Sequence, residues 1–169
     1  MIRDLVAIFG VIAGFTYYVL TVRNANRARK QTIVRQIAQD LSQVEGLQIY
    51  AELLEMEWED FDDYLRKYDS TVNRDNYVKR MSLFGWYSRM GYDLYSGNID
   101  AETIINLIDF QGIWLMWNKF KPIILELRKR YGNPTAYRWF EYLYEELSEE
   151  VVRQGIPAEY VDADGTLSN

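Results

Sequence analysis

The chain has 169 residues, a formal net charge of −6 at pH 7, 49% hydrophobic residues, and neither cysteine nor histidine. Those two absences exclude disulfides, Cys or His nucleophile–base pairs, thiolate or imidazole zinc sites and axial haem histidines. The charge is divided: residues 1–35 hold six basic groups and one acid, net +5, and residues 36–169 hold thirteen basic and twenty-four acidic groups, net −11, so the larger part repels phosphate backbones and argues against nucleic acid as a partner.

The run Leu5–Val22 carries no charge, and ten of its eighteen residues are Leu, Ile, Val or Phe. As a helix it is about 27 Å long, close to the hydrocarbon thickness of a bilayer. Those ten residues favour insertion by about 3–6 kcal/mol. A cleavable signal peptide carries its positive charge before the apolar run; here Arg23, Arg27, Arg29 and Lys30 follow it, with Arg35 beyond. The pattern predicts a transmembrane anchor over 1–22 and a basic juxtamembrane segment over 23–35. The positive-inside rule puts everything after the anchor in the cytoplasm, with Arg23, Arg27, Arg29 and Lys30 attracted to anionic lipid headgroups. Gly10 and Gly14 form a G-x-x-x-G pattern that lets two such helices approach closely, which predicts self-association.

Residues 36–155 read as a helical domain. From Ile33 to Tyr68 the apolar residues keep a helical period, in two runs out of phase across Gly46, which predicts a break there. The first run includes Val34, Ile37, Leu41 and Val44; the second runs through Leu54, Trp58, Phe61 and Leu65. Asn73 is placed to cap a helix from Arg74 to about Tyr95, and Gly97 to end it in a left-handed turn. Asp100 is placed to cap a short helix over Ala101–Asp109. Another helix is predicted from Ile113 to Tyr131, with Pro122 kinking it or marking a junction. Gly132-Asn133-Pro134 interrupts, and a last helix runs from Thr135 to about Arg153. Residues 156–169 are expected to form an acidic flexible tail. No segment alternates with a period of two. The fold class expected is all-α: one N-terminal transmembrane helix followed by a cytoplasmic bundle of about five helices.

Two clusters stand out. Seven acids lie between Glu52 and Asp63, without the Asp-x-Asp-x-Asp-Gly loop of a calcium hand and without the histidines of a di-iron bundle. They read as a solvated helix face. The 26 aromatic residues concentrate in Phe84–Tyr87, Trp114–Trp117 and Tyr137–Tyr144. They read mainly as core, with the uncharged stretch around Trp114 and Trp117 as the candidate for docking a partner.

The basic run after the apolar segment, Trp58-x-x-Phe61-x-x-Tyr64, Trp117 with Pro122 and Arg128, and Phe140-Glu141-Tyr142-Leu143 together resemble a family of small uncharacterised prokaryotic proteins. That family has one span and an all-helical cytoplasmic domain of unknown function. The resemblance covers most of residues 5–150 and implies no activity, cofactor or catalytic residue. The functional expectation is therefore a membrane-anchored helical interaction or scaffold module, an accessory subunit at the cytoplasmic face, with no metal or cofactor. Its partners would be the bilayer and a protein. The alternatives are a carboxylate-dependent, metal-assisted hydrolase built on the acids of 52–63, and a membrane-linked sensor whose ligand lies among the aromatic residues.

Overall fold

The computed structural model describes the backbone of residues 2–41 and 44–155, and the side chains of 9–40 and 44–155. The tail expected over 156–169 lies outside the described residues. Seven helices are present there and no strand: α1 (Ile2–Leu41), α2 (Val44–Leu54), α3 (Phe61–Tyr68), α4 (Arg74–Tyr95), α5 (Ala101–Leu107), α6 (Phe110–Arg130) and α7 (Arg138–Arg153).

The all-α class holds, but the expected boundaries change. The apolar run and the basic segment are not two units: α1 carries both, and its last turns enter the domain, where Ile37 is buried. Seven helices replace the six expected in all, because the stretch Ile33–Tyr68 is divided twice. Gly46 lies inside α2 rather than at a break, and residues 55–60 leave the helix before Asp60 caps α3 by accepting the Asp63 backbone N–H at 2.8 Å. Trp58 therefore sits on a connection, half-buried, and not on a continuous helical stripe.

The other starts obey local chemistry. Asn73, Asp100 and Asp109 accept backbone N–H groups of Asn76, Thr103 and Gln111 at 3.1, 2.8 and 3.0 Å, supplying acceptors for first-turn donors that lack intrahelical partners. Gly97 ends α4 with φ of 69°, and Asn98 N–H reaches back to the Asp93 carbonyl at 2.9 Å. Pro122 does not divide α6, which runs through it. The last helix begins at Arg138 and not at Thr135, because Tyr137 takes a left-handed φ of 55°. That conformation is unfavourable for a residue with a Cβ. It is held by the Tyr137 ring edge-on to Phe84, centroids 5.3 Å apart, and by Arg128 Nε donating to the neighbouring Ala136 carbonyl at 2.9 Å.

The core is aromatic. Phe140 of α7 stacks on Tyr87 of α4 at 4.6 Å and meets Trp117 of α6 edge-on at 5.1 Å, and Phe84 lies 5.0 Å from Phe120. Helices α4 and α7 face each other through Phe84 and Tyr87 on Phe140 and through Tyr92 and Tyr95 on Trp139. They touch backbone to backbone at Gly91, where a Cβ would lie 1.8 Å from the Trp139 carbonyl oxygen.

Among the described residues no helix is long and apolar enough to cross a membrane. The run Leu5–Val22 enters that set only from Phe9, since the side chains of residues 5–8 lie outside it.

Candidate functional site

From Phe9 to Arg29 nearly every residue of α1 is exposed, including Phe9, Val11, Ile12, Phe15 and Leu20. Glycines 10 and 14 have nothing within 4 Å of where a Cβ would stand, so no part of the domain covers them. The two threonines of this stretch turn back onto their own helix: the Thr16 and Thr21 hydroxyls donate to the Ile12 and Tyr17 carbonyls at 2.8 Å. Arg23, Arg27 and Arg29 are exposed, and Lys30 reaches Asp100 at the cap of α5, which ties α1 to the domain.

The acids of 52–63 do not converge. Glu52 pairs with Lys79 at 2.7 Å, Asp62 with Arg130 at 2.5 Å, Asp60 caps α3, and Asp63 accepts from Lys67 at 2.8 Å and from the Glu59 N–H at 3.1 Å. Among the described residues no group of three or more Asp or Glu is placed to hold a metal ion. Hydrogen bonds from Lys67 and Glu59 hold the Asp63 carboxyl below its usual range. Trp114 and Trp117, the aromatic docking candidates, are 5% and 1% exposed and belong to the core.

A cleft of about 770 Å³, which sequence reasoning missed, lies where the end of α1, α2, α4 and the start of α6 meet. Its walls carry Ile49, Tyr50, Leu83, Trp86, Tyr87 and Ile113, and its charged groups are Asp40, Glu45, Asp109 and Arg89. Trp86 Nε1 donates to Asp40 at 3.1 Å, and the rings of Trp86 and Tyr87 lie 5.2 Å apart. The Tyr50 hydroxyl lies close to Gly112, 3.5 Å from where a Cβ there would be. Burial first, and then the charge of Asp109, push the Tyr50 hydroxyl up from its ordinary value, so it stays protonated at neutral pH. The only sequence signal for this assembly is that Tyr50 and Trp86 fall off the apolar stripes of their helices. Large rings at off-stripe positions need a second surface to pack on.

A family model described as a domain of unknown function, DUF4760, matches residues 5–147, which takes in the apolar half of α1 and the helical domain together. No curated protein and no solved structure matches the chain.

Proposed function

The chain belongs to the DUF4760 family, and on that premise we propose that it is a membrane-tethered helical interaction module, with the first half of α1 in the bilayer and the domain on the cytoplasmic face. The observation that carries this reading is the bare apolar half of α1. Its exposed Phe, Val, Ile and Leu side chains, left in water, forgo on the order of 10 kcal/mol of transfer free energy. A soluble partner would bury one stripe of such a helix, whereas exposure on all sides suits a solvent that is apolar in every direction. The inward hydroxyls of Thr16 and Thr21 fit the same surroundings, because a donor facing hydrocarbon needs a partner within its own helix. Counted from Leu5, the run reaches about 27 Å, and the cluster Arg23, Arg27, Arg29 and Lys30 stands at one end only.

The dispersal of the 52–63 acids into separate ion pairs supports a binding module over a carboxylate-dependent hydrolase. Alkaline carbonate should leave the protein in the membrane pellet, and a reporter fused after Asn169 should be active only in the cytoplasm. Release by carbonate would overturn the tether. A reporter active only outside the cytoplasm would overturn the orientation.

A further inference from the structure

We infer that the cleft between α1, α2, α4 and α6 is a binding site for a small organic cation, one with an apolar or aromatic body and an ammonium head. The inference does not rest on the first half of α1 lying in a bilayer. The cleft's volume of about 770 Å³ falls in the range of ligand pockets and exceeds what one or two waters fill. Its interior suits an apolar body: Ile49, Leu83 and Ile113 with the rings of Tyr50, Trp86 and Tyr87. Gly46 and Gly112 line it too and present no side chain to fill it.

The charge around this interior selects the head group. Three carboxylates, Asp40, Glu45 and Asp109, stand against one guanidinium, Arg89. Two of the three are oriented by their own neighbours. Trp86 Nε1 fixes one Asp40 oxygen at 3.1 Å and the Gln111 N–H fixes Asp109 Oδ1 at 3.0 Å. Aromatic rings and carboxylates lining one cavity attract an organic cation through the ring quadrupole and through direct charge. An anion would meet three like charges there. A bare metal ion would find no group of three convergent ligands among the described residues. The net −11 of residues 36–169 adds a long-range field of the same sign.

The test uses the full chain in nanodiscs of zwitterionic lipid, with empty nanodiscs as blank. Benzyltriethylammonium is titrated against tryptophan fluorescence and by calorimetry, with benzyl alcohol and phenylacetate as neutral and anionic counterparts. The cation should bind saturably, one per chain, at least about tenfold more tightly than either counterpart, and more weakly as salt rises. Asp40→Asn with Asp109→Asn keeps both hydrogen-bond acceptors and removes both charges, and should weaken binding at least about fivefold. Ser82→Trp places a ring in the cleft from an exposed position of α4 and should abolish binding; it carries the test if the double variant fails to fold. Equal binding of the three probes, absence of saturable cation binding, or undiminished binding by Ser82→Trp would each overturn the assignment.

Discussion

Two glycines of α4, six residues apart, should respond oppositely to the same substitution. At Gly91 a Cβ would stand 1.8 Å from the Trp139 carbonyl oxygen, 2.8 Å from its carbon and 3.2 Å from the Leu143 Cβ. The first two obstacles are backbone, so no rotamer change relieves them, and α7 must move away from α4. That displacement opens the stacking of Tyr87 on Phe140 and the Phe84–Phe140 contact. Overpacking a core usually costs 1–3 kcal/mol, and an obstacle of this kind puts Gly91→Ala at about 3 kcal/mol or more. Gly85 is exposed with nothing within 4 Å of its Cβ position, so Gly85→Ala should stabilise by about 0.5–1 kcal/mol through helix propensity alone. For a chain of this length the melting temperature should fall by about 6–12 °C for the first and rise by about 1–4 °C for the second. All five tryptophans, at 58, 86, 114, 117 and 139, lie in the domain, so fluorescence-monitored unfolding follows it without interference from the apolar half of α1. Equal melting temperatures for the two variants would refute the close approach of α4 and α7.

Trp117→Ala should cost about 3–5 kcal/mol in urea unfolding, whereas Trp58→Ala, whose half-buried ring packs on Tyr64, Tyr68 and Phe120, should cost about 2 kcal/mol. Equal costs would mean the connection 55–60 is packed as tightly as the centre of the domain. The lowered Asp63 carboxyl contributes stability that is full above its ordinary value near 3.9 and lost as pH falls through the lower folded value. Asp63→Asn should therefore reduce stability at pH 7 and shallow the acid limb of the stability curve; a limb parallel to the parent's would remove the linkage.

The helical content was legible because it is written locally: Asn73, Asp100 and Gly97 mark their helix ends by hydrogen bonds made within five residues. The start of α7 was not legible, since the left-handed Tyr137 depends on Phe84, back in α4, and on Arg128 of the preceding helix. Trp58 misled for a related reason. Its spacing from Leu54 and Phe61 is helical, but the Asp60 cap restarts the helix between them. The cleft left no trace beyond the off-stripe rings of Tyr50 and Trp86, because Asp40, Tyr50, Trp86 and Asp109 share no local period and are assembled only by packing.

The unbroken course of α1 has a mechanical consequence. Between Gly14 and Gly46 the sequence holds neither glycine nor proline, so the helix has no swivel between its bare end and the domain. A Gly/Ser linker would let the domain wander over a wide volume; this rod fixes both its distance and its azimuth. Phe9 and Ile37 are about 42 Å apart along the axis, so tilting the rod by about 10° carries one end roughly 7 Å sideways. Any torque applied at the bare end is delivered to the layer around Ile37 and Asp40, which is also one wall of the cleft.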